Sequence, residues 1–391
     1  MHQYPSRRVF LRTATLATTL IPTVSVWSAT PTQAASASPV RLGIIGTGSR
    51  GRDYIRQVLK CPCGQAIATV SAICDTDFDA IHQTLALFDA LDRPRPVVYS
   101  TNEYAFRQLL QRDDLDGVVI AASDKWQANM AVTAMKSGKH VGMSVSAVAT
   151  VDESWALVDA FDQTGTPCML LESTCYRPDV LVVLGQIRQG DFGEMTYARS
   201  GYQQATGRGI PYPTHGLGPV AHWLSINRGN RFISLSSTAS KSRGLRPTLL
   251  EKGETSPSGT NYTLGDVITT TIQCANGATV ELIHDSGTPR PYASGWRLQG
   301  TAGGWTGGEQ TGSESANKAD ALMMYEFIES VRNRSMPPID VYDAALWPSI
   351  HLLAKQSLTA GGQSVAIPDF TRGNWQMNLP IFNPVKAGAG V

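Results

Sequence analysis

Between about residue 40 and residue 172, short apolar runs alternate with stretches of helical periodicity. The runs at 42–45, 68–74, 117–121, 140–145 and 168–172 are brief and nearly continuous, as expected of strands buried on both faces. Between them, 53–59, 78–91, 104–111, 127–136 and 152–163 space their apolar residues as amphipathic helices do. Strands alternating with helices predict a parallel, doubly wound sheet.

After Tyr176 the pattern changes. One more helix is expected at 178–189, followed by segments rich in Thr, Val, Ile and Tyr at 194–203, 232–240, 266–275, 279–286 and 296–300. Asn276-Gly277 sits between two of these with the chemistry of a tight hairpin turn. A mostly antiparallel sheet with one helix-bearing face follows. The Gly-, Ser- and Thr-rich stretches 244–261 and 303–315 read as loops. Amphipathic helices at 319–333 and 341–359 close the chain, and no internal repeat is visible.

The expected fold class is therefore α/β, with an N-terminal Rossmann doubly wound parallel sheet. A C-terminal α+β domain with a mostly antiparallel open sheet completes it. The expected boundaries are 1–37 for a signal, 38–172 for nucleotide binding and 173–391 for substrate binding, the last helices packing back on the first domain.

The signal is read from Ser6-Arg7-Arg8-Val9-Phe10-Leu11-Arg12, an apolar stretch behind it, and small residues around Ala35-Ser36-Ala37. This is a twin-arginine pattern, and it implies a periplasmic or secreted protein. Thr and Pro interrupt the short apolar part, so cleavage is expected rather than anchoring, and no later span is long enough to cross a bilayer. About 350 residues then remain, enough for two domains of ordinary size. A net charge of +1 supplies no basic field for nucleic acid. Of the six cysteines, Cys61-Pro62-Cys63 is a C-x-C without a histidine cluster, so no metal site is expected. Buried thiols are the plain reading, and a disulfide remains open.

Candidate chemistry begins at Gly46-Thr47-Gly48-Ser49-Arg50-Gly51, which follows an expected strand and opens an expected helix. In that context the first glycine permits a tight turn, the second lets a pyrophosphate approach the backbone, and helix N–H groups meet its charge. Asp75 ends the second strand, where a carboxylate accepts bonds from ribose hydroxyls and repels a 2′-phosphate. NAD is the expected cofactor. A soluble nucleotide pool would not follow an exported protein, so the cofactor should be held tightly and regenerated in place.

Longer motifs lie beyond the loop: Tyr212-Pro213-Thr214-His215-Gly216-Leu217-Gly218-Pro219-Val220, Pro289-Arg290-Pro291-Tyr292, Leu298-Gln299-Gly300-Thr301, Ile339-Asp340-Val341-Tyr342-Asp343 and Pro368-Asp369-Phe370-Thr371-Arg372-Gly373-Asn374-Trp375. Through these the chain resembles the Gfo/Idh/MocA oxidoreductases and, more narrowly, the NAD-dependent glycosidases of glycoside hydrolase family 109, known as α-N-acetylgalactosaminidases. The resemblance covers nearly all of the chain after the signal. It implies a redox-neutral hydrolysis in which NAD⁺ oxidises the sugar C3 hydroxyl and acidifies the C2 hydrogen. Elimination, water addition and re-reduction follow.

By the same resemblance Tyr176, Tyr202, Tyr212, Pro213, Thr214, His215 and Tyr292 face the sugar. Trp126, Gln127, Ser144, Val145, Ser173 and Tyr212 are expected to join the glycine loop and Asp75 around the cofactor. An imidazole suits His215 to take the hydroxyl proton near pH 7. Tyr176 would carry a second proton if its surroundings lowered its pKa. The plain alternatives are a loop-bonding histidine at 215 and a packing aromatic at 292.

Five departures from the family pattern surround the same pocket. Ser144-Val145-Ser146 stands where Glu-Val-Pro is usual, and Asp124-Lys125-Trp126-Gln127 keeps one Trp and loses a His. Ser173 replaces an Asn, and Ser313-Glu314-Ser315-Ala316-Asn317-Lys318 replaces a Gly- and His-rich turn. The connection from Tyr202 to Tyr212 is short, with Arg208 as its candidate substrate-facing arginine. Three functions stay open at this stage: a glycosidase-like enzyme, a sugar or polyol oxidoreductase with tightly held NAD, and a non-catalytic carbohydrate-binding protein. All three take a small sugar or glycoside as partner, and a homo-oligomer fits the open sheet.

Overall fold

The computed structural model describes residues 38–59, 67–145, 147–203, 214–243, 265–285, 287–288, 290–309 and 313–380. The first sheet carries β1 (Val40–Ile45), β2 (Ala68–Cys74), β3 (Val97–Tyr99), β4 (Gly117–Ile120), β5 (His140–Met143) and β6 (Cys168–Leu170). All six are parallel, in the order β3-β2-β1-β4-β5-β6. Leu42, Ile44, Ile73, Val118, Val119 and Ile120 are wholly buried, as near-continuous apolar strands must be when helices cover both faces. Those helices are α1 (Ser49–Leu59), α2 (Phe78–Ala90), α3 (Phe106–Leu110), α4 (Asp124–Lys136) and α5 (Val151–Thr164). The strand order reverses between β1 and β4, which opens a crevice at their carboxyl ends.

A short 3₁₀ turn (Ser173–Tyr176) and α6 (Pro178–Gln189) lead into the second sheet. Its strands are β7 (Met195–Gln203), β8 (Phe232–Ala239), β9 (Val267–Cys274), β10 (Thr279–Asp285), β11 (Ala293–Gly300), β12 (Gly304–Glu309) and β13 (Val365–Ala366). They run in the order β12-β11-β7-β10-β9-β8-β13. Only β7 and β10 pair in parallel among these neighbours. Asn276-Gly277 makes the β9–β10 hairpin, with Gly277 at φ 89°, where a side chain would be strained. The α/β class and both sheet types are those the sequence pattern implies.

Between β7 and β8 lies α7 (Thr214–Trp223), and the chain closes with α8 (Ser313–Asn333) and α9 (Val341–Thr359). Helix α8 packs on α1 and the 3₁₀ turn, and α9 on α5, β6 and β8. The N-cap of α9, Asp340, forms a capping box with Asp343. Buried Arg228 bonds both carboxylates at 2.6–3.0 Å, tying the turn after α7 to α9.

Three departures from the sequence expectation stand out. Strands β3 and β13, of three and two residues at sheet edges, are too short for a periodic signal. The segment 303–315, expected as a loop, holds β12 and the start of α8. Trp305 of β12 meets Trp223 at 5.6 Å and Trp296 at 6.4 Å, so apolar contact holds a glycine-rich strand in place. The third is α7, whose Gly216, Gly218 and Pro219 disfavour a helix. All but His215 of its residues are buried, so packing overrides propensity. The expected loop 244–261 lies outside the described residues. Cys74, Cys168, Cys175 and Cys274 are buried free thiols, while Cys61 and Cys63 lie outside the described residues. Among the described residues no helix is long and apolar enough to cross a membrane, and no His, Cys, Asp and Glu group could hold a metal.

Candidate active site

The glycine loop joins β1 to α1 at the sheet crevice. Gly46 has φ +94°, and a Cβ there would fall 2.4 Å from the Ala121 carbonyl oxygen. At Gly51 it would fall 2.0 Å from the Gly46 oxygen, so this glycine lets α1 close on the turn. Gly48 differs: a Cβ added there meets nothing within 4 Å, and the residue is exposed. Two glycines serve the fold and one leaves open backbone, the shape a pyrophosphate needs. Ser49 is exposed beside it at the helix start.

Asp75 stands at the end of β2, where its carboxylate accepts the Thr47 N–H at 2.5 Å and the Thr47 hydroxyl at 2.9 Å. Its second oxygen takes the Asp77 N–H at 3.0 Å. These bonds fix a negative charge against the loop, in keeping with NAD. Arg50 is turned away from the expected cofactor contact. Both of its terminal nitrogens bond Asp320 of α8 at 2.9–3.0 Å, and its guanidinium lies 4.4 Å over the Tyr54 ring. Burial opposes that charge, but Tyr54 and Asp320 outweigh it and raise the Arg50 pKa.

The other residues expected at the cofactor come from neighbouring strand ends. Half-buried Trp126 and buried Gln127 lie in the first turn of α4, Trp126 edge-on to Tyr104 at 5.6 Å. Ser144 and Val145 follow β5, with Ser144 facing the Tyr54 hydroxyl. Ser173 opens the turn after β6. The crevice thus collects residues from β1, β2, β4, β5 and β6. The structure lays no claim on Tyr212, Pro213 and Arg208, which lie outside the described residues.

His215 sits in the first turn of α7 and is 28% exposed. Its Nδ1 lies 2.9 and 3.0 Å from the two oxygens of Glu172, a fully buried carboxylate two residues past β6. Thr174 donates its backbone N–H to Glu172 at 3.1 Å. Its hydroxyl proton is shared between Glu172 Oε1, at 2.7 Å, and the His215 carbonyl, at 3.0 Å. Burial alone would raise the Glu172 pKa, but His215 and these hydrogen bonds bring it down to about 2. Enclosure works against a charge on His215 as well, and Glu172 outweighs it and raises the imidazole pKa. An ionised Glu172 fixes the Nδ1–H tautomer, which makes Nε2 the base when the ring is neutral.

Small residues bring α7 this close. A Cβ on Gly216 would meet Ser200 Oγ at 2.5 Å, and one on Gly218 would meet Cys175 Sγ at 2.8 Å and Glu172 Cγ at 3.2 Å. Trp296 donates its indole N–H to the Gly216 carbonyl at 3.1 Å and pins the same turn to β11. The packing of α7 against β7 sets Gly216, next to His215 in the chain, on Ser200 and Gly201, just before Tyr202 near the end of that strand. Tyr202 meets Tyr292 at 5.1 Å, edge-on, and stacks on His284 at 6.0 Å and 14°. Tyr292 bonds Ser294 at 3.1 Å, and burial raises its phenol pKa.

Two of the expected site residues are enclosed by the protein. Tyr176 is wholly buried, and burial, with the charge of Glu326 beside it, pushes its phenol well above the ordinary value. That runs against the lowered pKa expected of a proton carrier at Tyr176. Thr214 is also wholly buried, on the Glu172 side of His215. Sequence reading missed Glu172. Its signal was a lone carboxylate ending an apolar run at the carboxyl edge of the sheet.

Residues 40–171 match the family model for an oxidoreductase family with an NAD-binding Rossmann fold, and residues 204–318 and 308–377 match the glycosyl hydrolase 109 C-terminal domain. An alpha-N-acetylgalactosaminidase of Tannerella forsythia is 36% identical, covering 88% of each chain. A glycosyl hydrolase family 109 protein of Parabacteroides distasonis is 35% identical, over 88% of this chain and 89% of its own. Among solved structures, the myo-inositol dehydrogenase of Lactobacillus casei in complex with NAD(H) and myo-inositol superposes with a TM-score of 0.69 at 16% identity. That match covers 85% of this chain and 98% of the other. A levoglucosan dehydrogenase in complex with NADH gives 0.66 at 15% identity, over 85% of this chain and 100% of its own. At such identities these two likenesses show a shared fold.

Proposed function

The chain belongs to the glycosyl hydrolase 109 family, and from that premise we propose that it cleaves a glycoside by transient oxidation of the sugar at C3. It is an NAD-dependent enzyme of the Gfo/Idh/MocA fold. The observation that carries the reading is the Glu172–His215 pair, set at 2.9–3.0 Å.

Gly46, Gly48 and Gly51 shape the loop that would hold the pyrophosphate, and Asp75 would hold the adenosine ribose. Bound NAD supplies reversible oxidation of a carbinol carbon, so that no outside oxidant is needed over a full turnover. His215 accepts the sugar hydroxyl proton at Nε2 and returns it when the hydroxyl re-forms. Glu172 steadies the imidazolium in between, as a buried carboxylate does for a catalytic histidine. Tyr202 and Tyr292 offer aromatic faces to the sugar ring. A ketone at C3 acidifies the hydrogen on C2, which lets the aglycone leave by elimination and water take its place.

Purified protein offered aryl α- and β-glycosides without added cofactor tests this reading. Aglycone release with no net change in NADH absorbance is the expected result. Reduction that stops after one equivalent marks a sugar or polyol oxidoreductase instead. Nucleotide that stays inert with every sugar marks a binding protein.

Export belongs to the same proposal. The segment Ser6–Arg12 directs the folded protein, nucleotide already loaded, through the twin-arginine route. Replacing Arg7 and Arg8 by Lys should leave the protein in the cytoplasmic fraction, and unchanged export would remove the assignment.

A further inference from the structure

The corner made by Tyr202 and Tyr292 has a third, buried member. His284 lies opposite Tyr202 in the parallel β7–β10 ladder, its ring nearly parallel to the tyrosine at 6.0 Å and 14°. It is 6% exposed, and its Nε2 has no hydrogen-bond partner among the described residues. Burial, with His351 beside it, pushes the imidazole pKa down to about 4. The ring is therefore neutral at pH 7, with one nitrogen donating and the other accepting. A buried ring nitrogen left without a partner carries its whole desolvation penalty, so such positions are ordinarily matched by a ligand or an ordered water.

Location separates His284 from the other buried ring nitrogens without partners. His140 opens β5, at the edge of the first sheet away from the crevice, and Trp347 lies within α9. His284 instead sits near the end of β10, on the same sheet face as Tyr202. That face is the one α7 covers, since Gly216 packs on Ser200 and Gly201 just before Tyr202. The helix that carries His215 and the strand that carries His284 thus flank one tyrosine.

We propose that His284 recognises the substrate, bonding one ring hydroxyl of a sugar seated against Tyr202 and Tyr292. The proposal rests on the reading of the cleft as a sugar site. A hydroxyl both donates and accepts, so it satisfies a neutral imidazole in either tautomer. The aromatic pair covers the apolar C–H face of the ring. Recognition of one hydroxyl through a buried polar atom discriminates strongly, because the analogue lacking it strands that atom.

Kinetics with an accepted 4-nitrophenyl glycoside and its monodeoxy analogues test the assignment in wild type, His284→Phe and His284→Asn. Phenylalanine keeps a flat ring against Tyr202, and asparagine covers the case in which the first variant does not fold. We expect KM to rise about ten- to hundredfold, with kcat less affected and bound nucleotide unchanged. One monodeoxy analogue, poor for the wild type, should be no worse than the parent sugar for the variants. A packing or water-binding role would leave that discrimination intact. Discrimination that survives in a folded variant, or an unchanged KM, overturns the role of His284 and leaves the glycosidase reading standing. If the wild type neither cleaves the 4-nitrophenyl glycosides nor binds the free monosaccharides by calorimetry, both fail together.

Discussion

Pro219 withholds from His215 the hydrogen bond that another residue at its position in α7 would give. The His215 carbonyl lies four residues before a nitrogen without hydrogen, and the Thr174 hydroxyl reaches it at 3.0 Å instead. The same hydroxyl touches Glu172 at 2.7 Å. A proline inside a helix thus ties the candidate base to the turn that carries its carboxylate.

Thr174→Val should therefore destabilise the protein by about 1–3 kcal/mol, the cost of leaving the His215 carbonyl without a donor and Glu172 with one donor fewer. Adding Pro219→Ala restores an N–H for the His215 carbonyl and should recover part of the loss. Urea unfolding of the two single variants and the double variant measures the coupling. Strictly additive effects would show that the proline and the threonine act independently.

The glycines of the loop should separate into fold and function. Gly51→Ala places a Cβ 2.0 Å from a backbone oxygen, and it should reduce folded yield sharply. Gly48→Ala meets no protein atom within 4 Å, so the melting temperature of the nucleotide-free protein should hold while bound nucleotide falls. Nucleotide content after denaturation and thermal unfolding are the two readouts.

The activity profile should rise with pH through the His215 pKa, which Glu172 holds above the ordinary 6.5. A general base acts in its neutral form, so the raised pKa sets the acid limb. Glu172→Gln removes the charge that chiefly raises it and leaves enclosure and Arg50, which lower it, against the weaker pull of Asp320, which raises it. The acid limb should shift to lower pH, and the plateau should fall by about 10²–10⁴-fold. A limb that stays in place in this variant would remove Glu172 from control of His215.

Stability should fall as the solution is acidified below pH 6.5. Burial is the first cause of the low pKa values of His222, His140 and His284, about 3, about 4 and about 4. The unfolded chain binds protons at these sites first, and that draws the equilibrium toward unfolding. His215 works in the opposite sense, since its raised pKa adds stability below 6.5 and loses it as pH rises. Glu172, with its pKa lowered to about 2, adds stability above 4.5 that fades as pH falls further. Burial lowers the His351 pKa as well, and it raises the Asp340 carboxyl to about 6. Four histidines thus oppose His215 and Asp340 between pH 6.5 and 4.5, so the urea midpoint should decline, and His222→Gln should flatten the slope.

Much of this fold is legible in the sequence because burial on two faces writes continuous apolar runs, as in 117–121, where every residue of β4 is buried. The glycine loop is legible too, since each glycine answers a local backbone demand. Helix α7 was hidden because its glycines and proline signal a loop, and only its packing against β7 and Cys175 explains them. The Arg50–Asp320 pair joins residues 270 positions apart, and nothing local in either segment announces it. Glu172 and His215 are 43 positions apart. The histidine was legible through its motif, whereas its carboxylate looked like the end of a strand.

Turnover of an accepted aryl glycoside in D₂O is the most direct test of transient oxidation at C3. Passage through a C3 ketone exchanges the C2 hydrogen with solvent, so the released sugar should carry one deuterium at C2 by mass spectrometry and NMR. Protium retained at C2 through complete turnover would contradict the account and point to direct displacement at the anomeric carbon.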